Sequence, residues 1–277
     1  MGQGENGMYD NNHLFIGSPQ NEKVKLWASL LDKKNRDRTG LFIIEGVHLI
    51  QDAIQAGAGV ETIIYDDEKG IPQQLDGAPY SDFPANWIAA SRTVIGKCTG
   101  TDTPPPIFAV LRKIEVKEET LFKSKRLVVA LDGVRDPGNV GTIIRSADAA
   151  GADAVVLGKG CVDLYNPKTV RSTMGSLFHL PIVQGDLQEL LPKAKLEGSK
   201  AIGTSLQAEH SCYSYDWLQP TWLIMGGESE GLSEDIRKLV DESVIIPMSG
   251  SSESLNVAMA TTVLLFEAQR QRLISQT

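Results

Sequence analysis

Apolar residues recur at helical spacing in the segment VKLWASLL, where Val24, Trp27, Leu30 and Leu31 fall on one face and predict a helix starting near Glu22. The polar stretch that follows, DKKNRDRTG, reads as a turn. LFIIEGVHLIQDAIQAG then predicts a short strand, Leu41 to Ile44, running into a helix that ends at Gly57. VETIIYDD reads as another strand, and residues 66–86 as a loop with short elements. Pro104, Pro105 and Pro106 exclude regular structure before a last strand at Ile107. Strand and helix alternate over 21–112, which predicts a compact α/β unit, while residues 1–20, rich in Gly and Asn, read as a flexible tail.

Residues 113–125 are charged and without clear period, and read as a linker. RLVVALDGV is an uninterrupted apolar run of the kind buried on both faces of a parallel sheet. Beyond it the pattern predicts helix 139–150, strand DAVVLGKG, a helix near 167–178, strand PIV, helix 186–196, strands AIGTSL and TWLIMGG, helix 233–240, strand SVIIPM and a final helix from Ser254 to Leu273. That alternation is the signature of an open parallel sheet with helices on both faces, spanning 126–277.

Composition adds boundaries to this picture. The 277 residues suit one large or two small domains, and 42% apolar with 22% charged residues is ordinary globular usage. No apolar run reaches the roughly 18 residues of a membrane span, and MGQGENGMYDNNH lacks a secretory pattern. Three separated cysteines, Cys98, Cys161 and Cys212, form neither a disulfide framework nor a metal knuckle, so a cytoplasmic location without metal is expected. Net charge is −8, against nonspecific nucleic-acid binding, yet residues 21–40 carry six basic residues against three acids. On charge alone that segment is equally well a solvated helix face. GxGxxG and GxxxxGK[ST] are both missing, so neither dinucleotide nor P-loop binding is indicated.

Candidate chemistry sits in three segments that end strands, where open sheets bind ligands. In LDGVRDPGNVGTIIR, Asn139 stands at a helix start and Arg145 lies six residues on, so that the two would edge one cleft. In IMGGESEGLS, Gly226, Gly227 and Gly231 allow close backbone approach to a ligand, with Glu228 among them and Ser233 suited to cap the next helix. In IIPMSGSSESLN, Ser254 and Asn256 precede an apolar helix. Each also has a plain structural reading: Asn139, Ser254 and Asn256 as helix caps, Glu228 as a surface acid.

In this order and spacing the three segments resemble the SpoU/TrmH family of the SPOUT superfamily, S-adenosylmethionine-dependent RNA ribose 2′-O-methyltransferases. NVGTIIRSADAAGADAVVL is similar to the family's first motif, MGGESEGLS to its second and IPMSGSSESLNVAMATTVLLFEA to its third, while KNRDRTGLFIIEGVHLIQDAI is similar to a ribosomal-protein-like substrate module that many members carry. The resemblance implies a C-terminal α/β domain tied in a deep trefoil knot, a smaller N-terminal α/β substrate-binding domain, and a homodimer with the active site near the subunit interface. It implies that Gly226, Ile246 and Leu255, with Thr204 or Ser205, contact S-adenosylmethionine. Arg145 is expected to orient the reacting hydroxyl and stabilise its developing charge, with Asn139, Glu228, Ser254 and Asn256 building the pocket. Lys34, Arg36, Arg38 and Arg171 are expected to contact RNA phosphates. The second motif departs from the family's Gly-Asn-Glu-Gly, reading Gly226-Gly227-Glu228-Ser229, which puts a side-chain amide contact at 227 in doubt. Ribosomal RNA is the expected substrate. A transfer-RNA enzyme and a catalytically weak ribosome assembly factor are the alternatives.

Overall fold

The structure is a computed structural model and describes residues 13–101, 103–122, 127–228 and 230–275. The chain divides into two compact units, residues 13–54 with Gly59–Arg112, and Gln55–Ala58 with residues 113–275.

The first unit is a five-stranded mixed sheet. Its strands are β1 (Leu14–Ile16), β2 (Leu41–Glu45), β3 (Val60–Asp66), β4 (Asn86–Ala90) and β5 (Ile107–Arg112), in the order β1-β4-β3-β5-β2. β1, β4 and β3 run parallel, and β5 is antiparallel to both β3 and β2. The helices are α1 (Glu22–Ser29), α2 (Lys33–Thr39), α3 (Val47–Gln55) and α4 (Arg92–Thr99). Asn21 starts α1 by accepting from the Lys23 N–H, and Val24 and Trp27 turn inward. They join Ile43, Ile64, Ile88, Val94, Phe108 and Val110 in one core.

The structure departs from the sequence pattern at three places in this unit. Leu14–Ile16 is not tail but the parallel edge strand of this sheet, in register with Ile88–Ala90, and residues 1–12 lie outside the described residues. DKKNRDRTG is not a plain turn. Asp32 accepts from the Lys34 N–H and Gly40 closes the segment at φ 69°, so that a two-turn helix stands between them. Residues 66–86 do hold a loop, but Asn86–Ala90 is a fourth core strand, followed by α4 capped by Ser91.

The second unit is a seven-stranded sheet in which every recorded pairing is parallel. Its strands are β6 (Leu127–Asp132), β7 (Ala154–Leu157), β8 (Ile182–Gln184), β9 (Lys200–Thr204), β10 (His210–Ser211), β11 (Thr221–Gly226) and β12 (Glu242–Ile245), ordered β10-β12-β9-β11-β6-β7-β8. α5 (Pro137–Ala149), α6 (Pro167–Thr173), α7 (Leu187–Leu196), α8 (Glu234–Arg237) and α9 (Val257–Ile274) connect or close it. The uninterrupted apolar runs behave as their pattern demands: all six residues of β6 are buried. Val128, Ala130, Val156, Leu190, Trp222 and Ile224 form the core on one side of this sheet.

Residues 113–122 are part of this unit, not a linker. Leu121 is buried in that core with Val116 and Phe122 packed against it. Tyr165 holds the segment's start, its hydroxyl accepting from the Ile114 N–H at 2.8 Å and donating to the Ile114 carbonyl at 3.1 Å. Residues 123–125 lie outside the described residues. Among the described residues no helix is long and apolar enough to cross a membrane, and no cluster of His, Cys, Asp and Glu is placed to hold a metal ion.

Candidate active site

The register of β11 on β6 decides where the site forms. Gly226 pairs with Asp132, so the loops leaving these two strands start side by side. A Cβ on Gly227 would stand 2.7 Å from the Gly133 carbonyl oxygen, a separation only a glycine permits. The loop after β11 then folds straight back. Gly231 donates its N–H to the Gly227 carbonyl at 3.0 Å, and the Ser233 N–H donates to the buried Asp132 carboxylate at 2.7 Å.

α5 begins at Pro137, earlier than Asn139. Asp136 is the cap, accepting from the Asn139 N–H at 2.8 Å, and proline occupies the first helical position where its missing N–H costs nothing. Asn139 is therefore not the cap, and its side chain is available to reach across the site. It donates from Nδ2 to Glu228 Oε1 at 2.8 Å and accepts at Oδ1 from Asn256 Nδ2 at 3.0 Å. Asn256 is the cap of α9, its Oδ1 accepting from the N–H groups of Ala258 (2.9 Å) and Met259 (3.4 Å). The helix thus begins at Val257 and not at Ser254. These directions form one consistent set. A carboxylate only accepts, so the Asn139 NH₂ faces Glu228 and its carbonyl faces Asn256, whose own carbonyl is left for the helix N–H groups.

Burial works to raise the Glu228 pKa, but hydrogen bonds from the Asn139 side chain and from the N–H groups of Glu228, Arg135 and Asp136 outweigh it and hold the carboxyl below its ordinary range. Glu228 is thereby a fixed acceptor at neutral pH, not a proton donor.

Next to this chain of side chains opens a cavity of about 540 Å³, of the size that holds a nucleoside-like ligand. Its wall is formed where β9, β11 and β12 end. Thr204, Ser205, Gly226, Ile246 and Leu255 all line it, as do Glu228, Ser254 and Asn256. Met248, Leu206 and Glu253 line it too, and nothing in their residue type marks them beyond their place beside motif positions. Gly226 matters for shape. A Cβ there would come within 2.1 Å of the Gly231 carbonyl carbon, so the returning loop occupies the space a side chain would need.

The remaining candidates lie elsewhere. Arg145 does not line the cavity. It is exposed on α5, about 9 Å along the axis from Asn139 and some 120° around it, so the two do not edge one cleft within the chain. Arg171 is exposed on α6, and Lys34 and Arg38 are exposed on α2. Arg36 is a correction: only 2% exposed, it donates from one guanidinium nitrogen to the carbonyls of Leu30 (2.7 Å) and Leu31 (2.8 Å). It closes the carboxyl end of α1 and is not part of an RNA-facing surface.

Fold and site together define an α/β enzyme with a glycine-walled small-molecule cavity at the carboxyl edge of a parallel sheet. Residues 126–266 match the SpoU rRNA Methylase family, and residues 21–109 match the MRM3-like substrate binding domain. The chain is 39% identical over 251 residues to the 23S rRNA (guanosine(2553)-2′-O)-methyltransferase of Bacillus subtilis, a match covering 91% of this chain and 97% of that one. Among solved structures, the SpoU methyltransferase AviRb from Streptomyces viridochromogenes in complex with AdoMet superposes with a TM-score of 0.83 at 32% identity, covering 92% of this chain and 99% of that one. The AdoMet-bound rRNA methyltransferase from Sinorhizobium meliloti gives 0.81 at 32% identity, with 92% and 97% covered. The chain belongs to the SpoU rRNA methylase family, and is with that an S-adenosylmethionine-dependent RNA methyltransferase with the SPOUT fold.

Proposed function

We propose that this enzyme methylates a ribose 2′-hydroxyl of ribosomal RNA in the cytoplasm, working as a homodimer. The observation that carries the reading is the convergence of Thr204, Ser205, Gly226, Ile246 and Leu255 on one cavity whose rim is the Glu228–Asn139–Asn256 chain. Residues 21–112 serve as the RNA-binding domain, and residues 126–277, with 113–122 packed onto them, as the methyltransferase domain.

The cavity suits the donor: the wall at Gly226 is bare backbone, and Ile246 and Leu255 supply apolar surface for an adenine. When bound, S-adenosylmethionine supplies a methyl group already activated on a sulfonium. What the chain adds is position and charge. Asn139 and Asn256, locked by each other and by Glu228, fix the rim against which the ribose rests. The hydroxyl proton is released to water as the O–CH₃ bond forms, and Arg145 stabilises the negative charge that develops on the oxygen.

Arg145 reaches a site through a second copy. Met259, Phe266 and Leu273 recur every seven residues on α9 and are 53%, 45% and 57% exposed, while Leu264, Leu265 and Ala268 bury the other side. Such a stripe is the seam of a helix pair. The Ser146 and Thr262 hydroxyls meet at 2.7 Å, setting α5 and its Arg145 beside this seam. Lys34 and Arg38, four residues apart on α2, and Arg171 give phosphate contacts. At 227, where the family carries Asn, a Cβ would stand 2.7 Å from the Gly133 carbonyl oxygen, so the loop of this chain is built around glycine there.

The test is transfer of labelled methyl to unmodified ribosomal and transfer RNA, followed by digestion to nucleosides. Label in a 2′-O-methyl nucleoside of ribosomal RNA is expected. Arg145→Ala should abolish transfer while cofactor affinity stays within about tenfold. Label in transfer RNA alone, or normal turnover by the variant, would overturn the corresponding part.

A further inference from the structure

Two cations near the Glu228–Asn139 pair are not used by the mechanism above. Arg135 lies exposed in the turn between β6 and α5, and its own N–H is among the donors to Glu228. Lys168 is exposed in the first turn of α6, with Nζ 3.9 Å from Asp136 Oδ2, while Asp136 Oδ1 accepts from the Asn139 N–H at 2.8 Å. A loose ion pair and one hydrogen bond to a backbone N–H therefore connect Lys168 to Asn139.

That placement is rigid. α6 crosses α5 at backbone distance: a Cβ on Gly141 would fall 2.4 Å from Ser172 Cβ and 2.8 Å from the Thr169 carbonyl. This contact holds the backbone at Lys168, one residue before Thr169, against α5, while the lysine side chain itself reaches into solvent. The neighbouring acids are already engaged, Glu228 by Asn139 and Asp136 by the start of α5. Arg171, three residues after Lys168, adds a further positive charge to the same helix.

A ribose inside an RNA chain has a phosphodiester on each side, so a site that holds its 2′-hydroxyl also meets anionic oxygens. We propose that Arg135 and Lys168 form a phosphate clamp that seats the RNA backbone next to the target ribose. This rests on the methyltransferase reading above. The clamp sets the register of the strand and reads no base, so base identity at the target is chosen elsewhere.

The experiment compares wild type, the double variant Arg135→Ala with Lys168→Ala, and the charge-preserving pair Arg135→Lys with Lys168→Arg, all as the full chain. RNA affinity is measured across salt concentrations with an unmodified ribosomal RNA fragment, cofactor affinity by calorimetry, and transfer at limiting and saturating RNA. The alanine pair should lose about tenfold or more in RNA affinity and flatten the log affinity against log salt slope by about 1.5, the share of two phosphate contacts. Its KM for RNA should rise, its cofactor affinity should hold within about twofold, and the charge-preserving pair should behave as wild type. An unchanged slope and KM in the alanine pair, with wild-type transfer intact, overturns the clamp alone. A flattened slope in a chain whose wild type transfers methyl to no RNA supports the clamp and overturns the enzymatic reading.

Discussion

Replacing Gly226 with alanine should damage the cavity proposed for the cofactor more than any other single methyl group added to the site. The added carbon would lie 2.1 Å from the Gly231 carbonyl carbon and 2.4 Å from both the Gly231 oxygen and the Leu232 nitrogen. Ordinary contact begins near 3.4 Å, so the returning loop must retreat by more than 1 Å, and every colliding atom is backbone that no rotamer change can move aside. That retreat strains the Gly231 N–H bond to Gly227 and the Ser233 N–H bond to Asp132. Overpacking of this kind costs about 1–3 kcal/mol, and one weakened hydrogen bond about 1 more. A loss of about 2–4 kcal/mol lowers the melting temperature by roughly 5–15 °C in a domain of this size. Cofactor affinity should fall at least tenfold, because Gly226, Gly227 and Gly231 all line the cavity. The control is Gly250→Ala, where a Cβ meets nothing within 4 Å and the backbone is not left-handed. Scanning calorimetry and titration calorimetry with S-adenosylmethionine read both effects. If Gly226→Ala matched the control in melting temperature and affinity, the account of this close approach would be wrong.

Arg36→Ala should destabilise the chain by about 2–3 kcal/mol in urea unfolding, because two carbonyls at the end of α1 lose a buried charged donor. Arg38→Ala, on the exposed side of the same helix, should leave stability within about 0.5 kcal/mol and weaken RNA binding instead; equal stability losses in the two would contradict the assignment. If the chain pairs through α9 as proposed, Phe266→Asp should give a monomer in light scattering and abolish transfer, with little change in the monomer's own stability, since that side chain is already 45% exposed. A stable dimer of this variant would remove α9 from the interface.

Much of the second unit was legible because its strands are buried on both faces and read as plain apolar runs: Val128 to Leu131 and Trp222 to Met225 announce themselves without help from neighbours. Short elements were harder. The helix Lys33–Thr39 has only seven residues and no apolar stripe, and its signals are the Asp32 cap and Gly40, which a search for periodicity passes over. The edge strand Leu14–Ile16 is three residues long, with two of its side chains exposed, so pairing with β4 and not local pattern makes it a strand. Arg36 looked like its exposed neighbours because charge alone does not say which face of a short helix turns inward. At the site, the roles of Glu228, Asn139 and Asn256 depend on contacts between residues 89 and 117 positions apart, and no local rule brings them together. The reading of Asn139 as a cap was reasonable for its residue type. It failed because Asp136, with proline after it, is the better start.

Glu228 offers the clearest way to separate an organising carboxylate from a proton-transferring one. Its pKa is depressed by its hydrogen-bond donors despite partial burial, so the stabilisation it brings is fully present above the ordinary carboxyl value, about 4.3, and is lost only as pH falls through the lowered native value. Across pH 5 to 9 the group does not change charge. Glu228→Gln keeps an oxygen able to accept from Asn139 but loses the charge that strengthens the bond, and the chain that ends on the α9 cap is loosened without being cut. Leu255 and Val257, the neighbours of Asn256, line the cavity, so loosening is felt as weaker cofactor binding as well as slower transfer. The rim is open to solvent, which limits the effect to roughly 0.5–1.5 kcal/mol, about a two- to twelvefold loss. The pH–rate profile should therefore drop by one common factor between pH 5 and 9 and keep its shape. A profile whose acid limb moved or vanished in Glu228→Gln would show that this carboxyl exchanges a proton during the reaction, and the organising role argued from its donors would have to be abandoned.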